Sequence, residues 1–140
     1  MIERIVVASD RSDTAARAVA WAAEMARRYE AQLTVVQAFV PGPPPGDAET
    51  ELSVYAEQIA GPGTKARVAA GEDPASAIVA AAAAERADVL VVGNIGMSGR
   101  REFLLGNVPN RVSHNATCTV VIVNTAEEPR RKRLQPWSRS

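Results

Sequence analysis

Sulfur chemistry and aromatic side chains are nearly missing from this chain of 140 residues. Its single cysteine, Cys118, excludes an intrachain disulfide and gives secretion no support. Set between Ala116-Thr117 and Thr119-Val120, it reads as a small buried side chain rather than a reactive thiol. Two Trp, two Tyr and two Phe leave the core to alanine and valine, which suits helices lying close on a sheet. No apolar run is long enough to cross a bilayer, and Met1-Ile2-Glu3-Arg4 lacks a signal-peptide pattern. A cytoplasmic protein with no membrane partner is expected. Catalytic groupings are missing too. The chain has one histidine, His114, no paired nucleophile and base, and no cluster with metal-ligand spacing. No residue is therefore assigned a catalytic role, and any hydrolysis of a bound nucleotide should be slow.

What the chain does have is an alternation of short apolar runs and helical periods. Ile5-Val6-Val7-Ala8, Leu33 to Phe39, Lys65 to Ala70, Val89 to Val92 and Thr119 to Val123 read as strands. The first of these strands is expected to run through Ser9, as Ile5-Val6-Val7-Ala8-Ser9. Between the strands, Ala15, Ala18, Val19, Ala22 and Ala26 share one face of a helix, with Trp21 on its polar side, either capping the sheet edge or partly exposed. Glu49 to Ile59 is a modest helix. Asp73-Pro74 pairs an N-cap with proline at the first helical position and starts a helix reaching about Arg86. Val108 to Asn115 is the last helix. The Pro41-Gly42-Pro43-Pro44-Pro45-Gly46 run is a loop, either a lid or a connector. This alternation predicts an α/β fold, an open five-stranded parallel sheet of order 3-2-1-4-5 with helices on both faces.

Charge divides the chain. Residues 125–140 hold five basic and two acidic side chains within a formal net charge of zero, so the body carries minus three. The expected organisation is one domain over 1–124 and a basic, disordered tail over 125–140. An acidic body argues against a nucleic-acid partner.

The densest signal follows the fourth strand. Gly93, Gly96 and Gly106 are spaced Gly-x2-Gly-x9-Gly, with Asn107 next and a helix opening at Val108-Pro109. Glycines let the main chain approach an anion, and a helix N-terminus points free N–H groups at it. A P-loop motif is absent, and glycines after the fourth strand rather than the first exclude the usual dinucleotide fingerprint. In the order 3-2-1-4-5, ligands bind between the carboxyl ends of the first and fourth strands, where Ala8-Ser9-Asp10 would face the glycine segment. Asp10 fits both a helix N-cap and a ligand contact. Arg100 and Arg101 fit either phosphate contacts or a solvated pair. His114, near the end of the last helix, fits a cation at a helix C-terminus.

This spacing closely resembles the nucleotide-binding signature of the universal stress protein family, whose ATP-binding members follow the third glycine with Ser or Thr. The resemblance runs from Ile5-Val6-Val7-Ala8-Ser9-Asp10 through Ala87-Asp88-Val89-Leu90-Val91-Val92-Gly93 and Arg111-Val112-Ser113-His114-Asn115-Ala116 to Val120-Val121-Ile122-Val123. It implies a Rossmann-like fold of the adenine nucleotide alpha hydrolase kind. It also implies an ATP or related adenine-nucleotide ligand, with magnesium as a companion, and a regulatory role in stress. Ala8, Ser9 and Asp10 would contact adenine and ribose, Ala38 would line the adenine pocket, and Val92 and Gly93 would flank base and ribose. Gly96, Met97 and Ser98 would wrap the phosphates, to which Gly106, Asn107 and Val108 would present N–H groups. Two departures stand out: Asn107 replaces the hydroxyl residue, and the helix after the proline loop is short. The family's usual dimer forms through its last strand, here Thr119–Val123, whose bare apolar edge invites self-pairing. Two alternatives are a signalling or structural dimer of the same fold that binds no nucleotide, and a slow ATPase.

Overall fold

Five short strands, four of them rich in β-branched residues, form the sheet of this computed structural model, which describes residues 1–40, 42–94 and 108–125. The strands are β1 (Arg4–Ala8), β2 (Gln32–Phe39), β3 (Lys65–Ala70), β4 (Val89–Gly93) and β5 (Thr119–Val123). All pairs are parallel and the order is β3-β2-β1-β4-β5. The helices are α1 (Asp13–Tyr29), α2 (Ala48–Ala60), α3 (Pro74–Ala84) and α4 (Val108–Asn115).

Helices cover both faces of the sheet, and two cores result. On one face Ile5, Val7, Leu33, Val35, Val89 and Val91 meet Ala18, Val19, Ala22 and Ala26 of α1 and Leu52 and Ala56 of α2. On the other, Val6, Ala8, Val36, Leu90 and Val92 meet Ala75, Ile78, Ala81 and Ala82 of α3 and Val108 and Val112 of α4. Successive strand residues feed opposite cores, so the central strands show no polar alternation.

Local sequence explains the element ends. Ser12 caps α1, its Oγ accepting from Ala15 N–H at 3.2 Å; the alternative cap, Asp10, instead holds the turn before it. Glu30 closes α1 in the left-handed region at φ 57°, and Ala31 N–H reaches back to Ala26 O. Asp73 caps α3 as expected, with Pro74 in the first turn. The Ser76 N–H, followed by lesser contributions from the Ser76 hydroxyl and Arg111, holds the Asp73 carboxyl below the usual range. Helix α3 stops at Ala84, short of Arg86, because Arg86 turns left-handed at φ 59° and Ala87 N–H bonds Ala82 O. At the opposite end of the sheet, Asp88 accepts hydrogen bonds from the N–H groups of Glu3 and Arg4, which lower its pKa and fix the start of β1 against β4.

The two sheet edges differ. Edge β3 carries Lys65 and Arg67, both paired with Glu85. Edge β5 carries no charge and leaves Ile122 45% exposed. Trp21 is half-buried beside that edge, where Ile2, Met25, Tyr29, Thr119 and Val121 join it around an apolar cavity of about 170 Å3. Cys118 is half-buried and desolvation raises its thiol pKa, consistent with an inert side chain.

Candidate functional site

Strand order reverses between β1 and β4, and the residues singled out from sequence gather at that end of the sheet. Strand β1 stops at Ala8, one residue short of the end expected from the sequence, and Ser9 after it is fully buried. Its N–H donates to Val36 O at 2.8 Å, and its Oγ accepts from Arg11 N–H at 2.9 Å. Asp10 is half-buried and accepts from Ser12 N–H through Oδ1 at 2.9 Å. These two bonds hold Arg11 in the left-handed region at φ 67°, a conformation uncommon outside glycine that concentrates at functional turns. No described residue donates to the second oxygen of Asp10. That oxygen is an acceptor suited to a ligand hydroxyl.

Beside this turn the β1–β2 ladder ends with the Ser9–Val36 bond, while β2 continues to Phe39. Main-chain groups of a strand point alternately to its two neighbours. Gln32 and Val36 direct theirs to β1, since Gln32 N–H bonds Glu3 O and Val36 O accepts from Ser9. Ala38 is in the same phase, so its N–H and C=O face the side where β1 has already ended. One donor and one acceptor, fixed side by side, match the edge of a purine that also carries one of each.

Across the crevice, Val92 is fully buried within the second core, so it offers a ligand main chain only. Ala8 and Val108 are buried in the same cluster at 1% and 4% exposure. Val108 opens α4, whose first-turn N–H groups lie at the carboxyl end of the sheet. Gly93 is half-buried, and a Cβ built on it would lie 2.9 Å from Cγ2 of Thr125. Here the missing side chain is required by a neighbouring residue. Gly96, Met97, Ser98, Gly106 and Asn107 lie outside the described residues, as do Arg100 and Arg101 and all of 126–140.

Three residues that the sequence does not single out join this end of the sheet. Asn94 Oδ1 accepts from both N–H and Oγ1–H of Thr125, at 2.9 and 3.2 Å. Arg17 of α1 donates through Nη1 to Thr125 O at 2.6 Å. Thr125 is 1% exposed although its position in sequence is the first of the basic tail. Its contacts lie 31 and 108 residues away, so only folding brings them together.

His114 stands at the far end of α4, exposed, with Nδ1 3.1 Å from Asn110 O. It is remote from the crevice, in keeping with a helix C-terminal role. Among the described residues no group of three or more His, Cys, Asp or Glu could hold a metal ion. None of the described helices is long and apolar enough to cross a membrane. The described residues bring together here a carboxylate, a main-chain donor and acceptor on one strand residue, and a helix N-terminus.

Comparison with known proteins extends this picture. Residues 1–124 match the family model described as the universal stress protein family. A universal stress protein of Mycobacterium tuberculosis is 33% identical over 140 residues, spanning 86% of this chain and 95% of its own. A universal stress protein solved in complex with cAMP is 34% identical, with TM-score 0.71, and the match covers 89% of this chain and 98% of that one. Another from Archaeoglobus fulgidus, solved in complex with dAMP, is 28% identical with TM-score 0.65, covering 89% of this chain and all of its own, 100%.

Proposed function

The chain belongs to the universal stress protein family, and from that premise we propose that it binds ATP or a related adenine nucleotide as a regulatory ligand in a stress response. The observation carrying this reading is the Ala38 main chain, past the end of β1, together with an Asp10 oxygen to which no described residue donates, at the switch point of the sheet. Ala38 would read the adenine edge and Asp10 would accept a ribose hydroxyl, with Ala8 and Ser9 forming the floor. Val92 and Gly93 would flank base and ribose through their main chains. Gly96, Met97 and Ser98, with Gly106, Asn107 and the first turn of α4 at Val108, would take the phosphates. The cAMP and dAMP complexes of two relatives support an adenine nucleotide as the ligand. Asp10 offers one carboxylate oxygen to a magnesium ion accompanying the phosphates. The work of such a site in the cytoplasm is to be occupied or empty, altering dimer shape or partner choice.

Calorimetry with ATP, AMP and cAMP tests this directly. Gly96→Glu, which sets bulk and negative charge among the phosphates, is expected to weaken binding by at least about tenfold. No binding of any of the three at millimolar nucleotide by the wild-type protein overturns the reading. Unchanged affinity in Gly96→Glu overturns the placement of the phosphates. A second reading, a dimer of the same fold that binds no nucleotide, is favoured by Asn107 standing where ATP-binding relatives carry a hydroxyl. Asn retains an amide donor, so the same titration separates the two.

We also infer a homodimer through β5. The strand is an uncharged edge with Ile122 exposed, and the apolar cavity around Trp21 and Tyr29 runs beside it. Edge β3, by contrast, carries charges that discourage pairing. Ile122→Lys is expected to convert a dimer into a monomer in sedimentation at micromolar concentration. A monomeric wild type under the same conditions overturns the inference.

A further inference from the structure

We propose that Arg11 and Glu51 are positioning residues whose ion pair aims the Asp10 carboxylate at a ribose hydroxyl, an inference that rests on the nucleotide-binding reading above. Arg11 stands at φ 67°, in the left-handed region, where glycine costs least and a long side chain is uncommon. A large residue held in such a conformation points to a use for its side chain. Arg11 has one: its Nη2 lies 3.8 Å from Oε1 of Glu51, in the first turn of α2. The pair joins the turn that follows β1 to the helix that follows β2.

Helix α2 begins at Asp47 without a side-chain cap. Among the described residues, the Arg11–Glu51 pair is the one polar side-chain contact joining its first turn to another element. The turn after β1 is held from within by Arg11 N–H on Ser9 Oγ and Ser12 N–H on Asp10 Oδ1. Neither bond fixes the turn against α2; the ion pair does. Because Oδ1 of Asp10 is committed to Ser12, the direction of its second oxygen follows the main chain of residues 10–12. A shift of Arg11 therefore turns the very oxygen assigned to the ribose. Ala38 is held instead by its ladder with β3, so reading of the base is independent of the pair. Both charged side chains are partly exposed, 37% and 54%, which screens the pair and limits its effect to a few-fold in affinity.

The test compares AMP with 2′,3′-dideoxy-AMP in calorimetry, using the full-length chain. The dideoxy sugar has no hydroxyl for Asp10, while base and phosphate are common to both ligands, so the ratio of affinities isolates the ribose contact. The wild type is expected to prefer AMP. Glu51→Gln, close in shape and uncharged, is expected to weaken AMP binding about threefold, the worth of an exposed pair, and to leave dideoxy-AMP binding unchanged. Arg11→Gly, which suits the left-handed backbone, is expected to do the same. Exchanging the charges, Arg11→Glu with Glu51→Arg, is expected to restore most of the preference. Thermal unfolding of the ligand-free variants checks that each is folded, and Glu51→Gln carries the test alone if Arg11→Gly is not. Equal losses for the two ligands, no loss, no recovery on exchange, or a wild type without preference for AMP overturn the positioning role while the nucleotide site stands. A wild type that binds neither ligand overturns the site and the positioning role together.

Discussion

Ile78→Ala is expected to destabilise the protein by about 2–5 kcal/mol, a large part of the stability of a domain this size. Helix α3 has the sequence Pro-Ala-Ser-Ala-Ile-Val-Ala-Ala-Ala-Ala-Ala, and its buried residues are Ala75, Ala77, Ile78, Ala81 and Ala82. Ile78 is the one large side chain among them and is 0% exposed. The alanines bring the helix axis close to the sheet but bury little area each. Most of the apolar anchoring of α3 on Val6, Val36 and Leu90 therefore falls to Ile78. Truncation removes three carbons and leaves a cavity that rigid neighbours fill poorly. Urea denaturation should show a lower midpoint with an unchanged slope, and melting should fall by roughly 10 °C. Ile78→Val, which removes one methylene, is expected to cost about 0.5–1.5 kcal/mol. A loss below about 1 kcal/mol for the alanine variant would mean that α3 is held by something other than this core.

The effect reaches the site through α4. Val108 and Val112 lie in the same cluster as Ile78, and Arg111 of α4 pairs with Asp73, the cap of α3, at 3.1 Å. Loosening α3 removes the surface that sets where the α4 N-terminus points. Nucleotide affinity should fall together with stability in Ile78→Ala.

How much of this was legible beforehand depended on the range of the interaction. Strands β3 and β5 and helix α4 have the limits that the sequence suggests, because the turn residues that bound them, and in β5 a run of Val and Ile, act locally. Asp73-Pro74 announces its cap for the same reason. The choice of Ser12 over Asp10 as the α1 cap is subtler: both are good caps, and a left-handed Arg11 between them decides it. The opening at Ala38 depends on β2 running three residues, Gln37 to Phe39, past its last pairing with β1, a matter of relative strand lengths that composition does not contain. The Asn94–Thr125–Arg17 junction was invisible. Each residue is ordinary in its own neighbourhood, and Thr125 sits where charge and proline suggest only a tail. Gly93 was legible as a place needing closeness, but what comes close to it was not.

Gly93→Ala makes that last point measurable. A Cβ there would lie 2.9 Å from Cγ2 and 3.3 Å from Oγ1 of Thr125. Real Cβ atoms do not tolerate the first distance, so either Thr125 moves or the β4 exit does. Thr125 is held by Arg17 through its carbonyl and by Asn94 through its amide and hydroxyl, so a shift strains several bonds at once. The expected cost is about 1–3 kcal/mol, that of one methyl too many in a packed site. If glycine served only to let a nucleotide approach, Gly93→Ala would keep the ligand-free stability and lose affinity. With Thr125 as the neighbour that forbids a side chain, the ligand-free protein itself melts lower. Adding Thr125→Ser removes Cγ2, the atom in conflict, while keeping the hydroxyl that bonds Asn94. The double variant is then expected to recover most of the lost stability, leaving only the 3.3 Å contact to relax. Thermal unfolding of the two single variants and the double variant forms a cycle whose coupling reads the contact itself. Strict additivity would place the need for glycine elsewhere, and coupling would show that the closeness written into Gly93 belongs to the protein before any ligand arrives.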